Sequence, residues 1–473
     1  MKLSALTESG TGDSPVVTGF AIDHRKVAPG TIFGAFRGEK FNGEDFIPDA
    51  IAAGAIAIVS RPEAIVEGVP HIADEVPRRA FAQLAAKFFA PFPDISVAVT
   101  GTNGKTSTVE LTRQLWRMAG QNAASIGTLG VTTADEQVKT GLTTPDIVTF
   151  LSNAAGLKRE GVTHLAFEAS SHGLSQYRTE GLPVGAAAFT NLSRDHLDYH
   201  LTMEAYLTAK LRLFTEVVDK DGTAIVWADD PSSAEVVAAI EGRGVRGISV
   251  GAKGTAIKLA DRAPTPLGQT LVVEAEGQTF TIKLPLIGAY QANNALVAAG
   301  LVWATGGDLA TIFSNLARVQ PVRGRLERAV ISRAGAPVYV DYAHTPDALQ
   351  AAIDALRWHA RGRLITVFGA GGDRDTGKRP LMGAVATKYS DHVIVTDDNP
   401  RSENPAGIRK AILMGAPGAV DIGGRREAIA AAIDEAGPDD IVLLAGKGHE
   451  QGQQIGDRTL PFDDVTVARE CVA

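Results

Sequence analysis

The stretch ISVAVTGTNGKTSTVELTRQLWRM, Ile95 to Met118, decides the architecture. Ile95 to Val99 is an apolar, β-branched run of the kind that forms a buried strand. A Gly-rich turn follows, and apolar residues at helical spacing predict an amphipathic helix from Ser107 to Met118. A strand, a Gly-rich turn and a helix N-terminus in that order aim backbone N–H groups and the positive end of the helix dipole at a phosphate. In such a loop Lys105 reaches the terminal phosphates and the Thr106 hydroxyl sits on Mg2+. The general phosphate-loop pattern opens on a Gly where this chain has Val99, and a plain Gly turn capped by Thr competes with it. The strand before, the helix after and the GKT core favour nucleotide binding.

Upstream, Ala90-Pro91-Phe92-Pro93 ends a helix at Phe89, because each proline lacks a donor and restricts its neighbour. Before that break, strand-like runs Thr31 to Phe36 and Ala55 to Val59 flank a small helix, Ile47 to Ala53. Downstream, the apolar runs His164 to Phe167 and Ala186 to Phe189 end in EASSHGLSQYR and TNLSRDHLDYH, and a helix over Ala292 to Ala304 stops at Gly306-Gly307. Glu168 and His196 at two strand ends suit a Mg2+–nucleotide site; the competing reading is a polar loop.

The last third alternates strictly. Strands are predicted at Val338 to Val340, Leu364 to Phe368, His392 to Thr396, Val420 to Ile422 and Ile441 to Leu444, with helices at Pro346 to Trp358, Pro380 to Tyr389, Ala406 to Met414 and Arg426 to Ala436. That pattern implies a parallel sheet covered on both faces, with ligands beyond the carboxyl ends of its strands. DYAH, GAGGDRD, DDNPR and AGKGHE all fall there. The fold class expected is α/β in three domains. Residues 1–92 form a small α/β domain, 93–320 a central P-loop-type nucleotide-binding domain, and 321–473 a Rossmann-like parallel sheet. The length, 473 residues, agrees with about three domains at roughly 150 residues each.

Composition narrows the class. The chain is 45% hydrophobic and 21% charged, an ordinary globular balance, and its formal net charge of −8 makes nucleic acid an unexpected partner. A single cysteine, Cys471, permits no intrachain disulfide. The opening MKLSALTESGTGDSP has no apolar core of a secretory signal, and no run is long enough to span a bilayer. A cytoplasmic enzyme acting on small molecules, without membrane insertion, is expected.

Taken together, TGTNGKTS, EASSHGL, TNLSRDHLDYH, Ala209-Lys210, GRLE (Gly324 to Glu327), DYAHTPDAL and GAGGDRDTGKRP resemble the Mur ligases of peptidoglycan synthesis, in order along essentially the whole chain. DDNPRSENP, Asp397 to Pro405, resembles the signature of the members that add meso-diaminopimelate. The resemblance implies an ATP-dependent ligase that phosphorylates the D-Glu side-chain carboxylate of UDP-N-acetylmuramoyl-L-Ala-D-Glu and joins the acyl phosphate to the diaminopimelate amine. A monomer is expected, and because ATP and the amino acid fall on different domains in this reading, a hinge is expected near Gln320-Pro321.

By the same resemblance, ATP contacts Gly101, Thr102, Asn103, Gly104, Lys105, Thr106 and Ser107, with Asn294, Arg325 and Asp341. One Mg2+ belongs to Thr106 and Glu168, the other to His196 and a carbamylated Lys210; carbamylation turns a repelled ammonium into an oxygen ligand. The nucleotide-sugar dipeptide falls to His24, Thr143, Thr144, Ser170, Gln176 and Arg178. Diaminopimelate falls to Arg374, Asp398, Asn399, Pro400, Arg401, Gly446 and Glu450. Arg401 offers a planar fork for the distal carboxylate, and Glu450 takes the distal ammonium. A lysine-adding sibling, a folylpolyglutamate synthase-like ligase and an ATP-hydrolysing regulatory module are the alternatives.

Overall fold

The structure, a computed structural model, describes residues 1–7, 14–38 and 41–473. Its elements form a mixed α/β protein built on three main sheets. The first is four-stranded and parallel, in the order Gly19–Ala21, Thr31–Gly34, Ala55–Ser60 and His71–Ala73. The helix Pro77–Phe89 leaves this sheet and buries Phe81, Leu84 and Ala85 in an apolar cluster that also contains Phe150, Leu151, Phe167 and Phe189. The first sheet and the second therefore share one core.

The second sheet is eleven-stranded. Its parallel centre runs Arg246–Gly251, Thr223–Trp227, Ala186–Phe189, Ile95–Thr100, His164–Glu168, Ala123–Gly127. The strands Thr223–Trp227, Ala186–Phe189, His164–Glu168 and Ala123–Gly127 are buried along their whole length, as a parallel sheet with helices on both faces requires. Helices Lys105–Met118 and Ala289–Ala304 cover one face, and Ile147–Arg159 with Pro77–Phe89 the other. Beyond the centre, Ile257–Thr265, Gly268–Ala275 and Gln278–Leu284 add a meander at one edge.

The third sheet has six strands, in the order Glu327–Ile331, Pro337–Asp341, Ile441–Ala445, Leu364–Phe368, His392–Val395 and Val420–Asp421. All pairs are parallel except the first. Every strand expected in this region is present. The strand Glu327–Ile331 and the hairpin Gly452–Ile455 with Arg458–Pro461 are additional.

Three helices begin two or three residues earlier than expected. The helix expected from Ser107 starts at Lys105, that from Ala292 at Ala289, and that from Pro380 at Lys378. Apolar spacing marks only the part of a helix that faces the core, whereas these first turns are polar or open on a ligand cavity. Pro380 is tolerated as the third residue because first-turn N–H groups have no helical acceptor.

Candidate active site

The phosphate loop leaves strand Ile95–Thr100 and enters its helix through Gly104, which has φ +87°. A Cβ there would lie 2.3 Å from Asn294 Oδ1, so only glycine lets the loop pack under helix Ala289–Ala304. Lys105 and Thr106 are the first two helical residues, which leaves their backbone N–H groups without helical acceptors. The Lys105 ammonium curls back onto the carbonyls of Gly101 (2.9 Å) and Thr102 (2.8 Å). Desolvation pushes its pKa down.

Thr106 Oγ1 donates to Glu168 Oε1 at 2.9 Å and accepts from Arg325 Nη2 at 3.0 Å. Glu168, 2% exposed, also accepts from the Thr128 N–H (2.7 Å) and hydroxyl (3.1 Å). Arg325 arrives from the third sheet. Its loop is held by Asp341, whose carboxylate accepts from the backbone of Leu326 (2.7 Å) and Ala343 (2.8 Å) and from Tyr290 OH (3.2 Å). Burial raises the Asp341 pKa. A cavity of about 380 Å³ joins these parts: Thr102 to Ser107, Thr143, Glu168, His196, Asn294, Arg325 and Asp341 all line it. Ten sequence-nominated nucleotide residues were expected around one ligand, and all but Gly101 line this single cavity.

Two further groups stand behind the loop. His196 has φ +54° and its ring lies 4.8 Å from that of His172. Burial draws its pKa down to about 3, so the imidazole is neutral at pH 7 with a lone pair to offer. Lys210 is 1% exposed, donates to the Gly101 carbonyl at 2.7 Å and sits 4.2 Å over the Tyr206 ring. Burial, aided by the like charge of Lys105, pushes its pKa well below the usual lysine range. Among the described residues no group of three or more His, Cys, Asp or Glu side chains is arranged to hold a metal. The Thr106 hydroxyl beside the Glu168 carboxylate nevertheless fits Mg2+, which takes few protein oxygens and completes its shell with phosphates and water.

Arg178 is linked to the Glu168 strand end through Thr144. It donates to the Thr144 carbonyl (3.1 Å) and to Gln176 Oε1 (2.7 Å), and among the described residues it has no ion pair. Burial lowers its pKa. Gln176 donates to Tyr199 OH at 3.0 Å. The Thr144 and Ser170 side chains are engaged locally: Thr144 Oγ1 donates to the Glu168 carbonyl (2.8 Å) and accepts from Ser170 N (3.0 Å), while Ser170 Oγ caps the helix Ser171–Ser175. Thr143 meets Thr128 at 3.1 Å. His24 stands apart in the 3-10 turn His24–Lys26 between the first two strands, its ring stacked on Phe46 with centroids 4.3 Å apart.

The nominated amino-acid residues gather at the carboxyl edge of the third sheet. Arg401, at φ +51°, donates Nη1 to the Gly372 carbonyl at 2.7 Å and has no ion pair among the described residues. Asp398, Asn399 and Pro400 are buried beside it. Glu450 Oε2 accepts from Asn399 Nδ2 at 2.7 Å. Arg374 is exposed. Gly446, at φ +108°, would place a Cβ 2.9 Å from Asp398 Oδ2.

Several residues here escaped sequence reasoning. Thr128 carried no signal, being one Thr in a TLGVTT run. Lys447, inside AGKGHE, reads like any solvated lysine, yet it is completely buried. Asp195 lies in the noted TNLSRDHLDYH motif, but besides His196 Nε2 at 3.5 Å it meets two groups from around the third sheet: His344 Nε2 at 3.7 Å and Lys378 Nζ at 4.0 Å. Burial opposes its charge, but His344, His196 and Lys378 outweigh that and hold its pKa well below the carboxylate range.

Family comparison agrees with this arrangement. Residues 16–89, 99–302 and 324–448 match the Mur ligase family catalytic domain, the Mur ligase middle domain and the Mur ligase glutamate ligase domain, respectively. The chain is 60% identical to the UDP-N-acetylmuramoyl-L-alanyl-D-glutamate–2,6-diaminopimelate ligase of Zymomonas mobilis, covering 98% of this chain and 97% of that one. It is 50% identical to the protein of that name from Bradyrhizobium diazoefficiens, with the same coverage. A solved structure of a ligase so named superposes with a TM-score of 0.73 at 31% identity, over 100% of this chain and 98% of that one. The MurF ligase of Thermotoga maritima in complex with ADP shares the fold, with a TM-score of 0.64 at 20% identity over 93% of this chain and 96% of that one. The chain belongs to the Mur ligase family.

Proposed function

We propose that the chain is an ATP-dependent ligase that adds meso-2,6-diaminopimelate to the D-Glu side-chain carboxylate of UDP-N-acetylmuramoyl-L-Ala-D-Glu. The observation that carries the reading is the single cavity in which the phosphate loop of the second sheet meets Arg325 and Asp341 of the third. ATP lies there, its phosphates on the N–H groups of Gly104 to Ser107. Arg325 and Lys105 meet the charge that shifts as the γ-phosphoryl group passes to the D-Glu carboxylate. The acyl phosphate then loses phosphate as the diaminopimelate amine attacks its carbonyl carbon. Holding both substrates in line supplies much of the rate.

Thr106 and Glu168 hold one Mg2+ in this reading, and His196 with a carbamylated Lys210 the second. When bound, the ions neutralise phosphate oxygens. The lowered pKa of Lys210 supports the carbamate, since only the neutral amine adds to CO2. Arg178, free of a carboxylate among the described residues, takes a carboxylate of the dipeptide, with Thr143, Ser170 and Gln176 around it and His24 toward the uridine end. Arg401, likewise unpaired, takes the distal carboxylate of diaminopimelate; Asp398, Asn399 and Glu450 face its ammonium. The domains are 1–92 for the nucleotide sugar, 93–320 for ATP and 321–473 for the amino acid. The protein acts as a monomer in the cytoplasm. Among the described residues no helix is long and apolar enough to cross a membrane.

Phosphate release, measured with each substrate omitted in turn and the product weighed by mass spectrometry, tests the reading. Turnover should require dipeptide and diaminopimelate together. ATP consumption at full rate without dipeptide overturns it.

A further inference from the structure

The mechanism above leaves the buried Lys447 unused. Lys447 is 0% exposed and lies in the loop that follows strand Ile441–Ala445. Its ammonium donates to Glu450 Oε2 at 3.0 Å and to Asn399 Oδ1 at 3.2 Å, and stands 3.6 Å from Asp398 Oδ1. Asn399 Nδ2 donates to the same Glu450 oxygen at 2.7 Å, and the Gln454 N–H fixes Asn399 Oδ1 at 2.9 Å. Glu450 Oε2 thus has two protein donors, whereas no protein donor reaches Oε1 among the described residues. Asp398 Oδ1 is buried without a hydrogen-bond partner, with this ammonium beside it.

Charge balance gives the arrangement its meaning. Asp398 and Glu450 bring two negative charges to one wall of the crevice, and Lys447 cancels one of them. Arg425, the nearby buried guanidinium, is already paired with Asp464 at 2.6 Å. What remains is one negative charge beside the unpaired Arg401. The far end of meso-diaminopimelate carries one ammonium and one carboxylate, and matches that pair. The far end of L-lysine carries an ammonium alone.

We infer that Lys447 is a positioning residue that sets amino-acid specificity: it orients Glu450 and Asn399 and reduces the wall to a single uncompensated negative charge. The inference rests on the reading under Proposed function. Without Lys447 the wall gains negative charge and Glu450 loses its anchor, which favours an amino acid whose far end is purely cationic.

The test compares wild type with Lys447→Met in steady-state ligation, using meso-diaminopimelate or L-lysine as acceptor. The KM for meso-diaminopimelate should rise about tenfold or more, as loss of a hydrogen bond to a charged group predicts. The KM for ATP should stay as in wild type. The ratio of kcat/KM for meso-diaminopimelate over L-lysine should fall by about the same factor. An unchanged ratio overturns the inference, because a lysine that only packs would affect both acceptors alike. Should Lys447→Met fail to fold, Lys447→Met/Glu450→Gln, which leaves Glu450 uncharged, is compared with Glu450→Gln alone. No added loss for meso-diaminopimelate is expected, and a further tenfold loss overturns the inference. Absence of diaminopimelate-dependent ligation in wild type would instead fail the parent reading.

Discussion

The Thr106 hydroxyl donates to Glu168 and accepts from Arg325, so one oxygen ties the second sheet to the third. Thr106→Val should lower kcat by about tenfold or more, the scale of hydrogen bonds to charged groups, while Thr106→Ser keeps most of the rate. Steady-state phosphate release measures both. Arg401→Ala should raise the KM for diaminopimelate by about a hundredfold and leave ATP affinity unchanged in equilibrium binding; Arg401→Lys should recover little, because a point charge does not replace the planar fork. Lys210→Ala should abolish turnover, with partial recovery in added short carboxylates; full activity of the plain variant would remove the carbamate from the reaction. The sequence made Thr106, Glu168 and Arg401 legible because each lies at the end of a strand or in the loop or first turn that follows one, within a motif whose chemistry has few other uses. It hid Lys447 and Thr128 because their roles depend on partners about fifty and forty residues away in the chain, Asn399 and Glu168.

Among the elements, the helices Arg425–Glu435 and Asp464–Val472 are joined by the fully buried pair Arg425–Asp464, which also anchors the Ala445 carbonyl at 3.0 Å. Arg425→Met leaves a buried carboxylate uncompensated and should destabilise the protein by about 3–5 kcal/mol in urea unfolding, with much of the loss restored in Arg425→Met/Asp464→Leu. The inner parallel strands of the third sheet were legible as short apolar runs because both of their faces are covered. Glu327–Ile331 was not: as an edge strand it buries only Ala329, so its sequence never becomes continuously apolar. Helix starts failed in the same way wherever a polar first turn faces a cavity.

At the scale of the molecule, acid should weaken the fold through its buried imidazoles. Burial draws the pKa of His449 down to about 3 and that of His200 to about 4. A histidine with a depressed folded pKa contributes stability that is present above the unfolded value of about 6.5 and is lost as pH falls toward the folded value. Between pH 7 and pH 5 the loss should reach about 2 kcal/mol for His449. Comparing the thermal midpoint of His449→Gln with that of wild type across this range checks it: the variant's acid limb should be flatter.

The three-sheet plan was visible in the chain, but the cluster shared by Pro77–Phe89 and the second sheet was not, because no single stretch encodes a contact between two units. That cluster has a practical result. A fragment trimmed to residues 93–320 would strip the covering from Phe150 and Leu151 and expose a greasy face to water, so it should precipitate on expression, whereas a piece that keeps Pro77–Phe89 in place should stay in solution.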